Sequence, residues 1–400
     1  MRQARRPAVF VALTLLTLPA AFAGETFSVD SAVSAALSRS ADVASARAEA
    51  DTAKAQLRQD AVFLANPDVS ASADVGGTKQ SAELTQPISL TGEGWSARKA
   101  DRATVEAAEA TWTRTRVTVA ADVRGAWAAS VVATDRTRLA RESLDLVVHL
   151  REAVEKKKAA GEASDLDLRL VRLSEATAAS SWLGARREED DARLRLVAFV
   201  GDVPGALPGD PLSAAPTPTH PAGNRSDLVA AEARVRAAEA GLARARAAAL
   251  PLVALGAFVE RDGGNLSVGP SIGLEVPLWN RNQAEIAGTA GQGTVARAEA
   301  DQLSAVAAAE TERTAALAHD AEPYATLATT GLLDDARAAL AEVEAGYRAG
   351  ELDLPDAIQI RTEVLDGEGA VLDLAGQVVQ ARLDFLLATE DPALLPEGAR

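Results

Sequence analysis

One pattern is written twice along this chain, and that repetition limits its architecture more than any other feature. Asn66-Pro67-Asp68-Val69-Ser70-Ala71 returns as Leu250-Pro251-Leu252-Val253-Ala254-Leu255, and Gln86-Pro87-Ile88-Ser89-Leu90 returns as Val276-Pro277-Leu278. Gly161-Glu162-Ala163-Ser164-Asp165-Leu166-Asp167 returns as Gly350-Glu351-Leu352-Asp353-Leu354-Pro355-Asp356. The three offsets are 184, 190 and 189 residues. A period this long marks a duplicated half and not a solenoid, whose units are much shorter.

Each half reads in the same order: a helix, two short strands, a very long helix, a Gly-containing turn and a return helix. The leading helices are predicted over 31–63 and 227–249, the long ones over 95–159 and 283–348, and the return helices over 164–199 and 354–388. At 1.5 Å per residue each long helix would reach roughly 95–100 Å. The first lacks Pro and has only Gly125, while Glu322-Pro323 must interrupt the second. Only 4% of residues are aromatic, and the hydrophobic 48% is mostly Ala, Leu and Val, which suits closely packed helices. Leu166, Leu170, Leu173, Leu183, Leu194 and Val197 read as a coiled-coil seam.

Four strands alternate apolar and polar residues. Val69, Ala71 and Ala73 stand against Ser70, Ser72 and Asp74, and Leu266, Val268, Ile272 and Leu274 against Ser267, Ser271 and Glu275. Residues 252–259 are apolar at almost every position. Four strands cannot close a barrel, and lipid does not tolerate an open sheet edge. A trimer would supply twelve, above the eight of the smallest outer-membrane barrels.

The first residues read as an address. Arg2, Arg5 and Arg6 precede an apolar run over 8–18, followed by Ala21-Phe22-Ala23, which predicts a signal peptide over 1–23. The remaining boundaries are a first repeat over 24–200, a Pro-rich connector over 201–224, a second repeat over 225–389 and a flexible tail over 390–400. The connector holds six of the 17 prolines and is expected to be extended.

The fold class expected is mainly α with a small β part: duplicated half-repeats build a long coiled-coil α-helical barrel, and four strands contribute to a trimeric 12-stranded outer-membrane β-barrel. The formal charge of −16 argues against nucleic acid. Zero Cys, one Met and three well-separated His, with no G-x-S-x-G and no Lys after the Gly288/Gly291/Gly293 cluster, leave no enzyme or metal motif. That glycine cluster is expected to permit close helix approach. No catalytic residue, bound metal or cofactor is expected.

The junction Glu275-Val-Pro-Leu-Trp-Asn-Arg-Asn-Gln-Ala-Glu-Ile-Ala287, with Pro277, Leu278, Trp279, Asn280, Arg281 and Asn282 at its centre, resembles the outer-membrane factor (TolC-like) family. Together with Thr85-Gln-Pro-Ile-Ser-Leu-Thr-Gly92 it is similar to the heavy-metal efflux (CzcC-like) branch. The resemblance spans essentially the whole mature chain. It implies a homotrimer in the outer membrane whose helices form a passive tunnel through the periplasm. Its implied partners are outer-membrane lipid, a periplasmic adaptor (membrane fusion) protein and an inner-membrane pump of the RND type.

The resemblance also implies a periplasmic gate of carboxylates after the second-half Gly, here Asp356 with Gln359 where the family's second acid would stand. Asp353 and Glu351, one turn earlier, could compensate. The helix tips at Gly161, Asp165, Asp167 and Gly350 are the implied adaptor contacts. Two competing functions remain open: a drug-efflux or type I protein-secretion channel, and a soluble periplasmic coiled-coil adaptor or scaffold.

Overall fold

The computed structural model describes residues 27–59, 66–74, 79–88, 91–205, 207, 209–218, 225–329 and 332–399. The predicted signal segment and positions 60–63 of the first predicted helix lie outside the described residues.

The first half opens on α1 (Val29–Arg39) and α2 (Ala41–Gln59). The single helix expected here is broken at Ser40, which takes extended angles (φ −61°, ψ 123°). The physical reason is local: its Oγ accepts from the backbone N–H of Val43 at 3.3 Å, offering the chain a fresh helix start. Two strands follow, β1 (Asp68–Ala73) and β2 (Lys79–Ile88), then α3 (Glu93–Ala159) and α4 (Asp165–Val200). With 67 residues and no Pro, α3 runs about 100 Å without interruption.

The second half repeats the order with α5 (Ser226–Ala247), β3 (Leu252–Asp262), β4 (Asn265–Glu275) and α6 (Gln283–Ala321). A 3-10 turn at Glu322–Tyr324 carries Pro323, and α7 (Ala325–Thr329), α8 (Leu332–Ala349) and α9 (Leu354–Thr389) complete it. The interruption falls where the proline predicted it, and Glu322 there receives two donors from Arg382 of α9, at 2.6 and 3.0 Å. The two return helices, α4 and α9, have 36 residues each.

All four strands join one antiparallel sheet in the order β1-β2-β3-β4, leaving β1 and β4 as open edges. Register sorts the apolar run of β3 into two faces. Val253, Leu255, Ala257 and Val259 align with Leu274, Ile272, Pro270 and Val268 of β4, and with Ile88, Gln86, Leu84 and Ala82 of β2. The opposite face carries Gly256, Phe258 and Glu260 beside Ser271, Gly269 and Ser267, and Thr85, Glu83 and Ser81. The first face is apolar and open to its surroundings: Ile272 is 78% exposed, and Leu84, Leu255, Val259, Leu266 and Val268 are exposed as well. The second is mostly small and polar, with Phe258 among its residues, and more sheltered.

The main core lies midway along the helices, where α1, α3, the end of α4 and the end of α9 meet around Val33, Trp127, Leu196 and Leu386. Trp127 is 1% exposed and stacks at 5.4 Å on Phe27. Two expectations fail here. The connector contains a 3-10 turn (Pro211–Ala214) with Pro211, Ala214 and Ala215 buried, and the tail buries Asp391, Leu394 and Leu395. Both are anchored by Arg124, itself buried, whose Nε donates to Leu394 O (2.9 Å) and Nη1 to Ala214 O (3.2 Å) while Nη2 reaches Asp30 (2.6 Å). A buried guanidinium must have its donors satisfied, so it fixes the segments that supply carbonyls.

The α4 seam lies open within the single chain. Leu166, Leu170, Leu173, Leu183 and Leu194 are exposed, with Leu173 at 67%, and the residues α4 buries are Val171, Ala178, Ala192, Leu196 and Val200. Val197 packs at the edge of the main core. The helix therefore has two apolar faces, and the chain's own core uses the one with smaller side chains. Among the glycine cluster only Gly293 faces another helix, α5 at Ala238, with room for a Cβ at ordinary contact distance, whereas Gly288 and Gly291 face open space.

Candidate gate, helix tips and strand–helix junction

At the end of the long helices the duplicated turns superpose residue by residue in role. Gly161 and Gly350 take φ +81° and +80°, the left-handed conformation that ends a helix most cheaply at glycine. Gly161 N–H donates to Lys158 O and Glu162 N–H to Lys157 O, while Gly350 N–H donates to Tyr347 O and Glu351 N–H to Gly346 O. Three residues on, Ser164 and Asp353 cap the return helices, accepting from the N–H of Asp167 (3.1 Å) and Asp356 (3.0 Å).

The acids at these tips have different tasks. Asp167 closes a capping box, accepting from Ser164 N–H at 2.8 Å, and those bonds hold its carboxyl below the usual carboxylate range. Asp165 is bound by Lys158, which lowers it likewise. A lowered value means the contact is complete above the ordinary carboxylate range and is lost as pH falls through the lowered one, so both persist at neutral pH. Asp353 is occupied as a helix cap, and Glu351 is held through its backbone. Asp356 is exposed with its carboxylate projecting from the first turn of α9.

Gln359 lies one turn beyond Asp356 on the same exposed stripe and donates from Nε2 to Glu363 at 3.1 Å. Glu363 was not singled out from the sequence, although its spacing from Gln359, four residues along a helix, is a signal for it. It places an acid one turn beyond Gln359. Behind this stripe, Val147, Leu150, Val154, Val171, Leu340, Val343, Tyr347, Leu354 and Ala357 form a second core that joins the two hairpins. Lys157 adds to it, with Nζ 4.3 Å from the Tyr347 ring centroid and donating to Tyr347 O.

The junction motif sits at the other end of the long helices. Asn282 opens α6 in the left-handed region (φ 58°), matching Gly92 (φ 81°) before α3. Its Nδ2 donates to Ala245 O of α5 at 3.0 Å, its N–H donates to Asn280 Oδ1, and Arg281 N–H donates to Gln283 Oε1. Pro277 ends the strand, and Leu278 and Trp279 are left exposed, Trp279 at 87%. Asn282→Ala is expected to cost about 1–2 kcal/mol, since alanine tolerates the left-handed backbone poorly and loses the bond to α5. Asn282→Gly should lose less, and equal melting temperatures for the two variants would refute the backbone argument.

Among the described residues no group of three or more His, Cys, Asp or Glu could hold a metal ion. His149 faces Glu344 at 3.3 Å and His319 ends α6. Nor, among the described residues, is any helix long and apolar enough to cross a membrane.

The family profile described as outer membrane efflux protein matches residues 32–202 and 221–389, one segment in each half. The cobalt-zinc-cadmium resistance protein CzcC of Cupriavidus metallidurans is 25% identical over 375 residues, covering 88% of this chain and 87% of that protein. The fold is similar to that of CusC (20% identity, TM-score 0.73, 90% of this chain and 91% of that one). It is also similar to that of the Campylobacter jejuni CmeC outer membrane channel (16% identity, TM-score 0.75, 90% and 85%). With a profile match across most of both halves, the chain belongs to the outer membrane efflux protein family.

Proposed function

We propose that this outer-membrane efflux channel is the passive exit duct of a tripartite system that exports heavy-metal cations. A periplasmic adaptor protein would dock on the tips at Gly161, Asp165, Asp167 and Gly350, and an inner-membrane pump of the RND type would supply the energy. The chain is a channel and not an enzyme, so its residues select and conduct; they do not transform a substrate.

The observation that carries this reading is the two-faced sheet with both edges open. Its outer face is apolar apart from Gln86, its inner face is mostly small and polar around Phe258, and neither edge could stand unpaired in lipid. Eleven residues of β3 span about 36 Å, enough to cross the hydrocarbon layer when tilted. Three copies would close a twelve-stranded barrel. The exposed Leu stripe of α4 and the exposed Val295, Val306 and Leu317 of α6 would then pack against neighbouring copies.

Heavy-metal cations are favoured over drugs or proteins by the relationship to a cobalt-zinc-cadmium resistance protein and by the acidic stripe of Asp356 and Glu363. Repeated around a threefold axis, those carboxylates would attract cations and repel anions at the narrow end. A deletion strain should become sensitive to divalent transition metals with little change toward dyes and detergents; the reverse pattern would point to drug efflux. In planar bilayers Asp356→Ala should lower the cation-to-anion permeability ratio several-fold and weaken block by divalent cations. Unchanged selectivity in that variant would remove the gate from the proposal. Extraction into plain buffer without detergent would instead indicate a soluble adaptor.

A further inference from the structure

We propose that the level at which the helices meet the sheet is a belt that binds the phosphate headgroups of anionic glycerophospholipid. The apolar face of the sheet ends at Ile88, Val253 and Leu274. Immediately beyond it stand two exposed indoles, Trp95 in the first turn of α3 and Trp279 in the link to α6. Indoles with an apolar body and a polar tip favour the boundary between hydrocarbon and headgroups.

Four exposed cations stand beside or beyond the indoles: Lys99 and Arg102 on α3, Arg246 in the last turn of α5, next to Ala245 whose carbonyl Asn282 binds, and Arg281 before α6. Trp95, Lys99 and Arg102 are spaced four and three residues apart, so they form one stripe. Lys99 lies about 6 Å and Arg102 about 10 Å farther along the axis than the indole. That depth is where headgroup phosphates would lie if the indoles mark the edge of the hydrocarbon.

Several basic residues around them are paired. Arg244 pairs with Glu93, Arg236 with Glu106, Lys54 with Glu109 and Arg297 with Glu239. Lys99, Arg102, Arg246 and Arg281 make no ion pair within 4 Å among the described residues, although Lys99 lies within the field of Glu239. Acids stand in this region as well: Glu275 at the end of β4, Asp68 at the start of β1, and Glu285 in the first turn of α6, where the helix dipole favours it.

The dipole favours Arg246 at the C-terminal end of α5, but it disfavours Arg281 at the N-terminal end of α6. Arg281 therefore gains nothing from the helix it precedes, and Arg102 makes no ion pair within 4 Å among the described residues. In a chain of net charge −16, cations gathered beside a lipid-facing surface fit an anionic membrane surface. The inference rests on the sheet facing lipid and is independent of the cargo and of the pump.

The test uses the purified full-length protein in detergent micelles doped with phosphatidylglycerol or with phosphatidylcholine, and reads the melting temperature. The wild type should gain more from phosphatidylglycerol. The variant Lys99→Gln/Arg102→Gln/Arg246→Gln/Arg281→Gln should lose that extra gain while matching the wild type in phosphatidylcholine. Half-saturating phosphatidylglycerol should rise roughly fivefold per charge removed. Equal gains from the two lipids, a variant that keeps the extra gain, or inorganic phosphate reproducing it would each overturn the proposal. Should the fourfold variant not assemble, the wild type is titrated at about 0.5 M salt, where exposed charges are screened. Loss of the phosphatidylglycerol increment there supports the belt, and its persistence refutes it.

Discussion

Ile272→Arg is expected to prevent the sheet from settling in a bilayer. Ile272 stands mid-strand in β4 on the apolar face, opposite Leu255 of β3, and 78% of its surface is open. An arginine on the lipid face near the midplane costs about 2–4 kcal/mol, and threefold assembly would repeat that cost in every copy. Ser267→Arg makes the comparison decisive. Ser267 pairs with Glu260 on the polar face, where a cation meets water and an acid. It should leave insertion nearly unchanged. The measurement is the fraction of each variant retained in urea-washed outer membranes. Equal retention of the two variants would mean that the faces have been assigned wrongly.

Arg124→Ala should produce the largest loss of stability outside the membrane, about 3 kcal/mol or more. Removing this side chain strips donors from two carbonyls, Leu394 O and Ala214 O, at about 1–3 kcal/mol for each acceptor left dry. It also enlarges the open cavity that Arg124 lines together with Trp127. Asp30 keeps much of its exposure, so the orphaned carboxylate adds little. Because the same guanidinium ties α1, the connector and the tail, the loss should be spatially selective. Hydrogen exchange should accelerate first at 210–215 and 391–395, before the hairpin core around Leu150 responds. A drop below about 1 kcal/mol, or uniform acceleration, would show that these segments hold themselves.

The comparison of reading with structure turns on the range of each signal. The bounds of α3, the interruption at Pro323, the two Gly turns and the alternating strands were legible because each depends on residues a few positions apart. The break at Ser40 was missed although its cause is equally local: a hydroxyl that caps and a hydroxyl that faces solvent look alike in a run of Ser and Ala. Asp356 was legible as a candidate from its place after Gly350, and Asp353 resolved into a helix cap only when its bond to Asp356 N–H was seen. Glu363 went unnoticed because its importance comes through Gln359, one turn away.

By itself, the sequence determined the repeated plan, the lengths of the long helices, where they stop, and that the strands have two characters. Those properties follow from backbone propensity, proline and glycine chemistry, and periodicities of 3.6 and 2. Tertiary structure alone decided which apolar stripe of α4 faces inward, which way each residue of the run 252–259 points, and that connector and tail pack around Arg124. Periodicity says that a surface seeks cover, but the identity of what covers it depends on segments more than 90 residues apart, such as Arg124 and Leu394. Such partners become neighbours only after the chain has folded.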